Sequence, residues 1–202
     1  MVSGGGTNLQ ALIDAQKSGL IDNGEIELVI SSNQKAYALE RAKKAFINTE
    51  VICAKDYEDK NEYAQKLMDT LKKHKIDLIV LAGFMSILSQ NVTDEYSYRI
   101  INVHPALIPS FCGKGFYGLK VHQAALDYGV RVTGATVHFV NEVVDGGAII
   151  LQKAVEVLPD DTAETLQKRV MEQAEWELLP KAVSLYCQGK ISIYNNKVVV
   201  KE

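Results

Sequence analysis

Asn102 and His104 stand at alternate positions in the stretch IINVHPALIPS. Side chains two apart on an extended chain share a face. A carboxamide and an imidazole therefore project together from the end of an apolar run. The pair suits acyl-type transfer: Asn102 can stabilise a developing oxyanion while His104 moves protons. For a lone histidine at a strand end, a buried ring bonded to backbone explains the residue equally simply. Pro105 and Pro109 stiffen the chain beyond His104. Further along, in VHFVNEVVDGGAII, Asp145 precedes two glycines that permit an unusual backbone path. An aspartate there can pair with His104, raise its pKa and hold it charged. On spacing alone, a solvent-facing acid in a D-G-G turn accounts for the same residues.

A third group opens the chain. Ser3-Gly4-Gly5-Gly6-Thr7-Asn8 precedes a helical pattern carried by Leu9, Leu12 and Ile13. Glycines let backbone N–H groups converge on an anion, and a helix N-terminus adds its positive dipole end. Thr7 and Asn8 can cap that helix or donate to a phosphate. There is no Walker lysine, which argues against a triphosphate loop. G-G-G also departs from G-x-G-x-x-G, and no acid ends the next strand to hold a ribose, which weakens a dinucleotide reading. A plain tight turn is the alternative.

These groups need elements to position them. Glu25–Ile30 is a short β-branched run, Ala36–Ala45 carries helix formers, and Val51-Ile52 is a brief strand. Asp59–Lys75 is an amphipathic helix with Tyr63, Leu67 and Leu71 on one stripe. Asp77–Ala82 is nearly all apolar, as a parallel strand covered on both faces should be. Ile100–Val103 reads as strand, Val121–Tyr128 as helix, and Val132–Val140 and Ala148–Val157 as longer strands. Asp161–Thr165 (DTAET) is an N-terminal capping signature for a helix running to about Cys187, and Ile191–Val200 is a hairpin turning at Asn195-Asn196. The βαβα order predicts an α/β fold: an open, twisted, mostly parallel sheet with helices on both faces and a Rossmann-like N-terminal half. Ligands in such sheets sit at the carboxyl ends of strands. That directs attention to Gly4–Asn8, Gly83–Leu88 and the segment from Asn102.

Composition narrows the function. The 202 residues suggest one domain, and an apolar share of 47% supports a sizeable core. A net charge of −3 gives no basic field for nucleic acid. No run is long enough for a membrane span, and the start does not look like a secretory signal. Cys53, Cys112 and Cys187 are scattered, which suggests reduced thiols in a cytoplasmic protein and no metal site. Monomer and homodimer are both open.

Taken in order, Gly4–Leu9 (GGGTNL), Leu81-Ala82-Gly83-Phe84-Met85 with Ile87-Leu88, Asn102-Val103-His104-Pro105, and Val137–Val140 through Asp145-Gly146-Gly147 resemble the glycinamide ribonucleotide formyltransferase family of purine biosynthesis. The resemblance covers the chain from residue 2 to about 190. It implies one formyltransferase domain over 1–202, with a ribonucleotide-binding half at 1–100 and a catalytic and folate-binding half at 101–202. It also implies transfer of a formyl group from 10-formyltetrahydrofolate, as co-substrate and without a metal, to the amine of glycinamide ribonucleotide. Carried over by motif, Asn102, His104 and Asp145 are the catalytic residues. Gly5, Gly6, Thr7 and Asn8 hold the ribonucleotide phosphate, and Pro105 abuts the ribonucleotide. Phe84, Met85, Ser86, Ile87 and Leu88, with Asn102, Asn141 and Val144, line the folate pocket.

Three departures from the family pattern stand out. Only Met1-Val2-Ser3 precede the glycine loop where the family has a full strand, and Ser86 stands where many members have Arg. The helix RVMEQAEWELLP is one residue longer than the usual spacing. A family Glu on this helix contacts the sugar; counting back from Pro180 selects Glu175, counting forward from Arg169 selects Ala174, and Glu175 is taken. Other residues read as background: His74 on a solvated face, His122 on a surface helix, Cys112 incidental, His138 either supporting the site or filling the core. Ser110–Gly118 is a glycine-bearing loop able to move over the ribonucleotide. Three competitors share features of this pattern: the formyltransferase acting on initiator methionyl-tRNA, a formyltetrahydrofolate hydrolase, and a non-catalytic nucleotide-binding module.

Overall fold

A computed structural model describes residues 1–201. Its elements run α1 (Thr7–Lys17), β1 (Leu28–Ser31), α2 (Tyr37–Lys44), β2 (Asn48–Val51), α3 (Lys60–Lys73), β3 (Ile79–Leu81), α4 (Gln90–Glu95), β4 (Ile100–His104), α5 (Leu119–Tyr128), β5 (Val132–Phe139), β6 (Ile149–Glu156), α6 (Ala163–Val170), a π turn (Met171–Glu175), α7 (Trp176–Cys187), β7 (Ile191–Tyr194) and β8 (Lys197–Val200). The strands β1 and β2 pair in parallel, as do β3 and β4; β5 then runs antiparallel between β4 and β6. Met1 and Val2 stitch the two groups together. Val2 N–H donates to the Ile30 carbonyl at 2.9 Å, while the Met1 amine donates to the Val80 carbonyl at 2.6 Å. The strand order is therefore β2, β1, Met1–Val2, β3, β4, β5, β6, and the expected open, mostly parallel sheet is present.

The pleat sends alternate side chains to opposite faces. Ile79, Leu81 and Ile100 pack with Tyr63, Leu67 and Leu71 of α3 and Val92 of α4. Ile101 and Val103 point the other way, into a core with Leu9 and Leu12 of α1, Leu166 of α6 and Leu179 of α7. Helices thus cover both faces. This requires β3 and β4 to be apolar on both sides, which is why they read as continuous hydrophobic runs.

Met1 and Val2 complete the ladder on one side; on the other, no strand among the described residues lies between β1 and β3. A cavity of about 800 Å³ occupies that gap, lined by Leu28 and Ile30 on one side and Leu78 and Val80 on the other. Burial of the Met1 amine at its end pulls that group's pKa down to about 5. No helix among the described residues is long and apolar enough to cross a membrane.

The late helix departs from the sequence-based expectation of one continuous run to Cys187. Five residues, Met171–Glu175, adopt a π turn between α6 and α7. A π turn accommodates one extra residue without rotating the helix beyond it. That is the structural counterpart of the one-residue excess between Arg169 and Pro180. Its start is capped as DTAET suggested: Thr162 and Thr165 exchange reciprocal side-chain-to-backbone bonds.

Candidate active site

A cavity of about 650 Å³ opens at the carboxyl ends of the strands. Every residue assigned a role from the sequence lines it: the glycine loop, Phe84–Leu88, Asn102, His104, Pro105, Asn141, Val144, Asp145 and Glu175. Their elements explain the convergence. Parallel strands end together, so the loops after Val2, β3 and β4 meet at one rim. The antiparallel β5 ends at Phe139 beside Ile101, at the start of β4, so the 140–147 loop folds back along the strands to bring Asp145 to His104 and His138.

Asn102 and His104 close β4. His104 is buried, and its Nε2 lies 2.8 Å from the Phe111 carbonyl, to which it donates. Its Nδ1 faces Asp145 Oδ2 at 3.5 Å. The solvent-facing reading of Asp145 is therefore excluded: only 9% of its side chain is exposed. Asp145 takes a left-handed backbone, φ 57°, uncommon outside glycine but tolerated by aspartate. Gly147 allows the loop to close, since a Cβ there would lie 1.9 Å from the Phe139 carbonyl oxygen.

His138 is the residue that sequence reasoning left undecided, and the structure puts it within the cluster. It pairs with Asn102 across β4 and β5. Its Nδ1 bonds the Phe139 carbonyl at 2.7 Å, so in the neutral ring Nε2 accepts; Asn102 Nδ2 lies 3.2 Å from it. This fixes the carboxamide and leaves its second N–H for the cavity. The same Nε2 is 3.6 Å from Asp145 Oδ1. The strand alternation that puts Thr136 and His138 on one face was the available signal. Gly113 was also missed: its N–H donates to Asp145 Oδ2 at 2.8 Å, tying the 110–118 loop to the acid. No sequence pattern marks that bond, because it joins two loops.

The electrostatics correct one expectation. Burial pulls the His104 pKa below its ordinary value; Asp145 and the Phe111 carbonyl push it up, but they lose. The sequence reading, in which Asp145 raises it outright, considered the pair and omitted desolvation. For Asp145 burial is again the largest influence and acts upward. His138, His104 and the Gly113 N–H together outweigh it and hold the carboxyl below the usual range.

His122 overturns a second expectation. It is fully buried, lines the cavity from α5, and neither ring nitrogen has a partner among the described residues. Burial, with His104 nearby, lowers its pKa to about 4. His74 is likewise not freely solvated; it sits between Glu27 at 3.6 Å and Glu50 at 3.4 Å. Cys112 donates to the Pro109 carbonyl, and burial raises its pKa, which leaves it a poor nucleophile.

At the other end of the cavity the glycine loop leads into α1. Gly6 has φ 73°, and a Cβ there would stand 2.6 Å from the Ala38 Cβ, so only glycine fits. Gly4 and Gly6 carbonyls accept from Ala38 N–H at 3.1 Å and Gln10 N–H at 2.9 Å. The N–H groups of Gly4, Gly5, Gly6, Thr7 and Asn8 have no acceptor among the described residues. Successive free donors at a helix start are the kind of group that can receive an anion. Beside it, Asn8 Nδ2 donates to Glu175 Oε2 at 2.6 Å, and Asn8 Oδ1 is buried without a partner. Burial pushes the Glu175 carboxyl up to about 7, against the opposing pull of that bond. Of the two positions that counting leaves open, Ala174 and Glu175 are both buried, and Glu175 is the one that lines the cavity. No cluster of possible metal ligands occurs among the described residues.

A carboxamide, two imidazoles and an acid on one rim, facing an anion cradle, is an arrangement for group transfer to a phosphorylated acceptor. The chain belongs to the formyl transferase family, whose pattern matches residues 1–183. It is 40% identical to the phosphoribosylglycinamide formyltransferase of Haemophilus influenzae, over 97% of this chain and 89% of that protein. It is 41% identical to a segment of the human trifunctional purine biosynthetic protein adenosine-3, covering 97% of this chain and 19% of that much longer one. Among solved structures, glycinamide ribonucleotide transformylase 1 from Symbiobacterium toebii superposes with a TM-score of 0.93 at 37% identity, covering 100% of this chain and 92% of that one. A formyltetrahydrofolate deformylase from Pseudomonas syringae pv. tomato superposes with a TM-score of 0.88 at 28% identity, over 100% of this chain and 64% of that chain.

Proposed function

We propose that this protein transfers the formyl group of 10-formyltetrahydrofolate to the amine of glycinamide ribonucleotide. The single observation that carries the reading is the shared cavity: Asn102, His104 and Asp145 open onto the same space as the free N–H groups of Gly4–Asn8. The phosphate sits on the cradle, with Glu175 and Asn8 at the sugar and Pro105 against the ribonucleotide. The folate lies along Phe84–Leu88, Asn141 and Val144, where Met85 and Ile87 are exposed and offer apolar contact. Ser86 contributes backbone rather than a guanidinium.

The substrate amine attacks the formyl carbon and forms a carbon–nitrogen bond. Negative charge collects on the formyl oxygen, which accepts the free N–H of Asn102, while the positive charge of protonated His104 beside it offsets the developing anion. Asp145 orients His104 and relays, through a water, the proton lost by the amine to the departing folate nitrogen. The bond from formyl carbon to that nitrogen then breaks, leaving tetrahydrofolate and the formylated amide. We read residues 1–202 as one domain working in the cytoplasm on small molecules, without nucleic acid or membrane.

The test measures tetrahydrofolate release from 10-formyltetrahydrofolate with and without glycinamide ribonucleotide. Release that needs the amine is expected. Release without it makes the protein a hydrolase, the reading that the deformylase likeness favours.

A further inference from the structure

The cradle has a support that lies outside the cavity. Of its three glycine carbonyls, Gly4 and Gly6 are held by backbone N–H groups. The Gly5 carbonyl is held by a side chain: Arg41 of α2 donates from Nε at 2.8 Å. That guanidinium is itself held, with Nη1 donating to Gln10 Oε1 at 3.0 Å and the group standing 5.1 Å over the Tyr37 ring. Gln10 is braced in turn by Asp14, at 3.0 Å. Arg41 does not line the cavity.

The consequence comes from peptide geometry. The Gly5 carbonyl and the Gly6 N–H belong to one planar trans unit and point in opposite directions. Holding the carbonyl outward holds the N–H inward. Gly6 is fixed against Ala38, but space around Gly4 and Gly5 is open, with nothing within 4 Å of a Cβ built at either, so on its Gly5 side this peptide has no packing restraint. Glycine backbone turns easily. A flipped unit would aim a carbonyl dipole at the anion and remove a donor from the cradle. Asn8, next but one to Gly6, lines the cavity, and its Oδ1 is a buried acceptor still without a donor, as a ligand hydroxyl beside the anion would supply.

We infer that Arg41 is a positioning residue for the phosphate cradle: by gripping the Gly5 carbonyl from behind, it aims the Gly6 N–H at the substrate's phosphoryl oxygens and sets the preference for a phosphorylated sugar. The inference rests on the function proposed above. A planar fork can reach Gly5 and Gln10 together; an ammonium on a flexible stem does not reproduce that geometry.

The experiment compares wild type with Arg41→Met, Arg41→Lys and Gln10→Leu. Substrates are glycinamide ribonucleotide and the riboside lacking its phosphate. For Arg41→Met the ribonucleotide KM is expected to rise about tenfold with kcat within about twofold, and the riboside kcat/KM to change by less than about twofold. Arg41→Lys is expected to resemble Arg41→Met, and Gln10→Leu to show a smaller change of the same kind. Equal losses on both substrates would make Arg41 merely structural and overturn the inference, as would full affinity in Arg41→Lys. A second readout is independent of turnover: titration with inorganic phosphate, monitored at the Gly6 amide resonance. A wild-type shift that is lost in Arg41→Met or weakened in Gln10→Leu supports the inference. No shift in wild type overturns it. A wild-type protein that shifts but does not turn over would overturn the proposed reaction and leave the role of Arg41 standing.

Discussion

Asn8 and Glu175, separated by 167 positions in sequence, share a buried hydrogen bond of 2.6 Å that joins the start of α1 to the end of the π turn. It couples the glycine loop to the far end of the chain, and it holds a carboxyl that burial has pushed up to about 7. Because the folded pKa lies above the ordinary 4.5, the native state keeps a proton that the unfolded chain releases. Stability from this group is fully present below 4.5 and is lost as pH rises through 7. The integrated loss is about 3 kcal/mol by pH 8. Glu175→Gln keeps an acceptor and cannot ionise. Its melting temperature relative to wild type should therefore climb between pH 5 and pH 8; a pH-independent difference would refute the buried-acid account. The same variant should weaken ribonucleotide binding if Glu175 meets the sugar.

Removal of the reacting groups should separate chemistry from binding. Asn102→Ala and His104→Ala are each expected to cut turnover by on the order of 10²–10⁴-fold, with ribonucleotide affinity largely kept. Single-turnover rates and calorimetric titration read the two quantities.

The pH profile should carry the sign of the His104 shift. The rate is expected to fall as His104 loses its proton. Since burial lowers that pKa, the alkaline limb of kcat/KM should lie on the acid side of an ordinary imidazole. Asp145 opposes the shift, so Asp145→Asn, which also tolerates the left-handed backbone, should move the limb further toward acid. An unmoved limb would remove Asp145 from its orienting and charging role.

His122 predicts acid sensitivity. Its folded pKa, about 4, lies below the ordinary 6.5, so the unfolded chain binds a proton that the native state refuses. Stability is lost as pH falls from 6.5 toward 4, by roughly 3 kcal/mol at the lower end. His122→Leu should flatten that part of the stability curve measured by urea titration. An equally steep acid loss in the variant would place the sensitivity elsewhere.

Much of this was legible along the chain. The doubly apolar run at Asp77–Ala82 betrays a strand covered on both faces, and Val132–Val140 reads as a longer strand, though its antiparallel pairing with β4 has no mark in the sequence. Asn102 and His104 stand out because their spacing matches the strand period. Other features were hidden for identifiable reasons. The His122 helix reads as surface because an imidazole is polar, and only packing against the cavity shows its burial. The π turn looks like a counting ambiguity between Ala174 and Glu175, since an inserted residue has no local signature. The direction of the His104 shift depends on how much water the fold removes, which spacing does not record.

Residue types and their periodicities, which act over a few positions, were sufficient by themselves for the α/β sheet and for the loops to examine; the roles of Asn102, His104 and Asp145 were implied by the order of motifs shared with a family. Distances between those loops were a different matter. That Asp145 faces His104, that His138 orients Asn102, and that Arg41 grips the glycine loop follow from the antiparallel pairing of β5 with β4, the returning 140–147 loop and the docking of α2, a long-range outcome of burying both faces of a single sheet.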